Sequence, residues 1–316
     1  MNSEFSHRFA QLLAINITLA CATVLAAQES PQPSPPADNI TELQTVPTMF
    51  SRIRGLFDID LPVIDPPGTF KLKFNPHFGD ILRKRFLRID AGVQWAVNEN
   101  LQFNIEADAF GTHGLRRGSA TYGVGQVHLG TKYLFKEFLR PDFETSVGFN
   151  ADIPTGHPPL GFTDGHNHFS PYFITQHHTE AHPNLTTFVG ASFDFVSASN
   201  AGGDFGVNQP RDHSFSLNAG AVYDLGQLKW TLAATYTSTA LIGGKPEHFL
   251  TVRPSVLWFV PKRITFNGKT QWIVGFGARS TWGPDGYEFS TGTRVRAEIT
   301  FGQVINRIRG RDSDDR

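Results

Sequence analysis

Tyr287–Phe301, YEFSTGTRVRAEITF, decides the fold. Taken residue by residue, Tyr287, Phe289, Thr291, Thr293, Val295, Ala297, Ile299 and Phe301 fall on one face. Glu288, Ser290, Gly292, Arg294, Arg296, Glu298 and Thr300 fall on the other. A period of two is a strand and excludes a helix. The stretch before it, from Thr270, repeats the pattern: Trp272, Val274, Phe276 and Ala278 alternate with Gln271, Ile273, Gly275, Gly277 and Arg279. A long strand that is apolar on one face and charged on the other needs oil outside and water inside. A transmembrane β-strand of ~9–11 residues has this character.

Working outward, the same alternation predicts strands over 69–77, 85–97, 101–110, 124–135, 142–153, 168–177, 185–196, 213–224, 227–239, 249–260, 270–281 and 287–301. In strand 85–97 the outward set is Leu87, Ile89, Ala91, Val93, Trp95 and Val97. Pro171 interrupts strand 168–177, because proline has no N–H to give to a ladder. Twelve is an even number, as single-chain bacterial barrels require. Connections after even strands are mostly short, such as Asn98–Asn100 and Leu225-Gly226, with 261–269 longer. Connections after odd strands are mostly longer and rich in Gly, Pro, Asn and Asp. Trp95, Tyr133, Phe135, Tyr223, Trp230, Tyr236, Trp258, Trp282 and Tyr287 take outward positions, most near strand ends, where a lipid–water interface favours amphipathic rings. The expected fold is therefore all-β, an antiparallel up-and-down transmembrane barrel of about twelve strands.

The rest of the chain fits export to an outer membrane. Residues 1–27 read as a signal peptide, with an apolar run from Leu12 and small residues near Ala27. Residues 28–68 form a Pro-rich linker in which 48–60 could make a short amphipathic helix. The barrel spans 69–301, and 302–316 is a polar periplasmic tail. Cys21, inside the signal segment, is the single cysteine, so the mature barrel has no disulfide. The net charge of −1 offers no basic face for nucleic acid. The expected partners are the lipid bilayer, the barrel-assembly machinery and a small-molecule solute; no cofactor is implied.

Function is sought on the inward face. The candidate lumen-lining residues are Arg88, Glu106, Asp108, Lys132, Glu144, Arg253, Arg279, Arg294, Arg296 and Glu298. Both signs are present, and charges are too costly to bury dry and unpaired, so the lumen is either wet or zipped by ion pairs. Arg279, Arg294 and Arg296 could attract an anion or pair with Glu298, Glu144 or Asp152 across the lumen. Inward glycines, Gly148 and Gly220 among them, leave space or permit strand coiling, which favours a partly open interior. His166-x-His168 has a spacing that suits a metal. However, the topology puts His157, His166 and His168 at one end and His177, His178 and His182 at the other, and no metal site is assigned.

Two family likenesses follow from quoted residues. His168-Phe169-Ser170 is similar in spacing to the His-x-Ser pair of the outer-membrane phospholipase, also a twelve-stranded barrel. Pro171-Tyr172 replaces that family's Asn-Gly, and Asn184 is a remote third member. Ser146–Gly156, SVGFNADIPTG, with Gly130–Tyr133 before it, resembles the outer-membrane proteins named for the meta-pathway of phenol degradation. That resemblance implies a barrel that helps apolar or aromatic compounds across the outer membrane. The expected function is a channel or transporter for small solutes; a closed structural or adhesion barrel is the alternative, and a lipid hydrolase comes after it.

Overall fold

The computed structural model describes residues 61–77, 86–112, 122–136, 138, 143–156, 158, 162–178, 181–199, 213–239, 245–261, 263–264, 270–284 and 286–301. The expected signal peptide, the 48–60 helix, the loop at 78–84 and the 302–316 tail lie outside them. Twelve strands are present: β1 (Phe70–Pro76), β2 (Phe86–Ala96), β3 (Leu101–Thr112), β4 (Tyr122–Lys136), β5 (Phe143–Pro154) and β6 (His166–His178), then β7 (Leu185–Ala198), β8 (Ser214–Asp224), β9 (Leu228–Ser238), β10 (His248–Phe259), β11 (Thr270–Gly283) and β12 (Gly286–Phe301). Each pairs antiparallel with its neighbours in chain order, and β1 pairs with β12, so the barrel is closed. Closure removes the unpaired edge that a bilayer could not solvate.

The period-two reading holds along the ladders except in β3–β4, where a bulge at Gly125 shifts the register from Asp108↔Gln126 to Ala109↔Val124. At the seam Phe70 pairs with Phe301 and Leu72 with Ile299 on the outer side, while Lys71 pairs with Thr300 and Lys73 with Glu298 on the inner side. The Phe70 and Phe301 rings meet at 6.2 Å and cover the seam from outside. The outer face is apolar along its length. Phe276, midway along β11, is 59% exposed, and Ile105, Val189, Leu217 and Leu232 are exposed on other strands. Outward aromatic residues gather toward both rims. Trp95, Tyr223, Trp230 and Trp258 lie near the rim that carries the barrel termini, and Tyr236, Trp282 and Tyr287 lie near the opposite rim. This is the two-girdle arrangement of an outer-membrane barrel.

Proline does not end β6. The β5–β6 ladder runs through Phe149↔Pro171, whereas the β6–β7 ladder passes from Phe169↔Phe195 to Tyr172↔Ser192 without a bridge at Pro171. Pro254 does the same in β10, which stays paired to β9 at Leu232 but skips from Val252↔Ser280 to Ser255↔Gly277 against β11. One side of each proline keeps its ladder because the missing N–H points only to the other side.

The expectation of open space beside the inward glycines is corrected. A Cβ on Gly148 would stand 2.3 Å from the Tyr172 ring and 2.5 Å from the Thr131 carbonyl oxygen. One on Gly220 would meet Leu232 backbone and the Phe188 ring. The side chain of the next strand lies flat over each glycine, so these positions seat large neighbours and do not widen the lumen.

Candidate channel lining

Inward parity collects the polar residues of all twelve strands around one interior. Two segments outside the strands enter it. Near the rim of the termini, Leu61–Pro67 runs inside the wall. Lys132 Nζ donates to the Leu61 carbonyl at 2.8 Å, Lys71 Nζ pairs with Asp65 at 2.5 Å, and Gln94 Nε2 donates to the same carboxylate at 2.5 Å. Pro62 is fully buried, and Leu61 packs on Ile174, Phe188, Val222 and Ala233, an apolar strip that interrupts the polar lining. Asp65, Pro67, Glu99, Lys136 and Glu144 border a cavity of about 350 Å³ at this end. Near the opposite rim the β5–β6 connection folds inward. Phe162 is buried between Phe86 (5.6 Å) and Phe110 (5.3 Å), with the Arg88 guanidinium 4.9 Å above its ring. Arg88 also donates to the Phe162 carbonyl.

Between these segments lies a ring of polar side chains. Arg294 Nε on β12 donates to Asn75 Oδ1 on β1 at 3.0 Å. Asn75 Nδ2 donates to Asp90 on β2 at 2.6 Å, and His77 shares that carboxylate. Asp90 is the register partner of Asp108 on β3. His128 on β4 bridges Asp108 at 3.0 Å and Asp152 on β5 at 2.7 Å. Asp152 is the register partner of His168 on β6. His168 sits between Asp194 on β7 at 2.8 Å and Asp164 of the inward connection at 2.9 Å. Ser170 Oγ donates to the other Asp194 oxygen at 2.9 Å, across the step that Pro171 removes from the ladder. On the remaining strands Arg253 on β10 donates to Thr235 on β9 at 2.8 Å, and Thr235 donates to Asn218 on β8 at 2.7 Å. Arg279 on β11 faces Arg253 across the step skipped at Pro254, and pairs with Glu288 at 3.6 Å.

The sequence-derived lining residues thus separate into two levels. Arg88, Asp108, Arg253, Arg279 and Arg294 belong to the ring or its border. Glu106 pairs with Lys73 at 3.3 Å, Arg296 with Glu298 at 3.0 Å, Lys132 holds the arm, and Glu144 accepts from Gln176 at 2.6 Å; these stand toward the rim of the termini. Of the expected partners for the arginines, Glu298 pairs with Arg296. Asp152 and Glu144 face His128 and Gln176 instead, because they stand on the far wall. Sequence reading missed His128, His77 and Asp164. His128 has inward parity between Gln126 and Gly130, so the alternation could have found it. Asp164 lies in a connection, where parity carries no information.

His168 and Ser170 both address Asp194, and both face the lumen. A nucleophilic serine donates to an imidazole; here the hydroxyl donates to the carboxylate. Asn184 sits in the β6–β7 turn, at the other end of the barrel. The spacing likeness to the phospholipase pair is therefore not accompanied by a serine–imidazole hydrogen bond between Ser170 and His168. His177 and His178 close β6 at the end opposite His168, roughly 30 Å away at ~3.3 Å per residue. Among the described residues no group of three or more His, Cys, Asp or Glu is arranged to hold a metal ion. His157 lies outside them.

Residues 108–291 match the family described as "Putative MetA-pathway of phenol degradation". No curated protein matches the chain in sequence. Among solved structures, an outer membrane channel from Pseudomonas putida F1 superposes with a TM-score of 0.51 at 12% identity, over 77% of this chain and 100% of that chain. At that identity the likeness concerns the fold. The KdgM porin gives a TM-score of 0.39 at 10% identity, over 74% and 98% of the two chains. The NanC porin gives 0.40 at 10%, over 73% and 98%.

Proposed function

The chain belongs to the family described by the MetA-pathway of phenol degradation, whose match spans more than half of its length, and on that premise we propose that it is an outer-membrane channel for a small solute. The observation that carries this reading is the contrast between the two faces of the wall. Outside, every strand offers aliphatic and aromatic side chains to lipid. Inside, every strand contributes polar or charged groups, a lining that water and a polar solute can follow. A barrel that only anchored its loops would gain nothing from ionised side chains inside the wall, where desolvation is expensive. The family's association with phenol degradation makes aromatic and apolar compounds the first solutes to try. Catalysis has no support from the His168–Ser170 geometry.

In this reading the lipid bilayer and the barrel-assembly machinery are the macromolecular partners. Residues 1–27 direct export, 28–68 are the linker whose last part forms the inner arm, and both barrel termini with the 302–316 tail face the periplasm. The test is conductance of the full mature chain in planar bilayers, after heat-modifiable gel mobility has shown that the barrel is folded. Discrete steps are expected. A folded barrel that stays silent at all voltages overturns the channel and favours the closed structural barrel.

A further inference from the structure

The polar ring is divided by sign. In a closed circle of twelve strands β4 lies opposite β10, β5 opposite β11 and β6 opposite β12. Asp90, Asp108, Asp152, Asp164 and Asp194, with His128 and His168 between them and Arg88 at their edge, occupy the β2–β7 wall and the connection folded against it. Arg253, Arg279 and Arg294 occupy the β10–β12 wall, where the three arginines outnumber the acid Glu288 that pairs with Arg279. Neutral Asn218 and Thr235 on β8 and β9 separate the walls on one side, and Asn75 on β1 does so on the other. Hydrogen bonds hold both sets in place: Asp108 is 5% exposed on its histidine, and Arg253 is 7% exposed on Thr235. Their field therefore does not reorient when a solute arrives.

Such a ring acts differently on different solutes. A simple ion is attracted to one wall and repelled by the other, so the two effects largely cancel. A neutral solute gains little and loses hydration. A solute with separated positive and negative ends gains at both walls at once, in a confined interior where Coulomb terms exceed their values in bulk water. From this geometry, and resting on the channel reading above, we infer that the ring selects small dipolar solutes, zwitterions above all. They cross with the anionic end toward Arg253, Arg279 and Arg294 and the cationic end toward Asp152 and Asp194. An aromatic solute of the class suggested by the family passes well when it also carries such a charge pair.

The experiment is swelling of proteoliposomes containing the full mature chain, with two isomers of identical composition: zwitterionic β-alanine and neutral lactamide. β-Alanine is expected to enter several-fold faster. With Arg253→Gln, Arg279→Gln and Arg294→Gln combined, the two rates are expected to converge; if that variant loses the folded gel mobility, Arg279→Gln alone should still reduce the ratio. Equal rates through the wild-type barrel overturn the dipole selectivity and leave the channel standing, and so does a ratio unchanged in a folded variant. No swelling with either isomer overturns the channel reading itself.

Discussion

Two prolines interrupt the wall, and the surrounding residues answer them differently. At Pro171 the lost β6–β7 bridge is replaced by side chains: Ser170 donates across the gap to Asp194, and His168 ties the same carboxylate to Asp164. At Pro254 the lost β10–β11 bridge is flanked by two like charges, Arg253 and Arg279, whose named partners, Thr235 and Glu288, lie away from the gap. A missing backbone hydrogen bond therefore does not dictate its own repair. One gap is closed by a network that crosses it. At the other the ladders on either side continue, and the two arginines reach Thr235 on β9 and Glu288 on β12.

The largest effect should come from Asp194→Ala, which removes the acceptor of two hydrogen bonds and strands the buried Ser170 hydroxyl; a loss of about 2–3 kcal/mol is expected, read as a lower midpoint in heat-modifiable mobility. Gly148→Ala, one strand from Pro171, forces a methyl against the Tyr172 ring and the Thr131 carbonyl and should cost about 1–3 kcal/mol by the same assay. If it costs nothing, the ring over that glycine is loosely held and the β6 side is less rigid than its network implies. Arg279→Gln should shift stability by no more than about 1 kcal/mol, since relief of the like charge on Arg253 offsets the lost Glu288 pair. An effect matching that of Asp194→Ala would erase the contrast between the two gaps. Pro171→Ala and Pro254→Ala should each stay within about 0.5 kcal/mol, as any regained ladder bond is offset by added freedom in the unfolded chain.

A site away from both gaps gives the smallest effect. Lys136 donates to Glu99 at 2.9 Å at the exposed rim and holds its carboxyl below the ordinary carboxylate range. Because the folded value is depressed, the pair helps above the usual carboxylate pKa and its help is lost as pH falls through the folded value. Solvent screens it there, so Lys136→Gln should leave the acid unfolding profile unchanged.

Much of this was readable in the chain. Strand number, order and facing follow from alternation, and the structure places β7 at Leu185–Ala198 where 185–196 was expected, and β12 at Gly286–Phe301 where 287–301 was expected. Pro171 was visible as a weak point in its strand; that its neighbours would mend the gap was not, because Asp194 lies on a different strand and Asp164 in a connection. Phe162 was equally hidden, since a loop residue has no parity to say whether it points to water or into the barrel.

The amino-acid sequence alone determined which side of the wall the strand residues face, apart from the start of β4 beyond its bulge, because successive side chains in a strand must point to opposite faces. Which inward residues share a height was decided only by closure. Strand tilt and stagger are set when β1 meets β12, and only that meeting brings Arg294 beside Asn75 across the seam, whereas His128 reaches Asp152 through the local β4–β5 register.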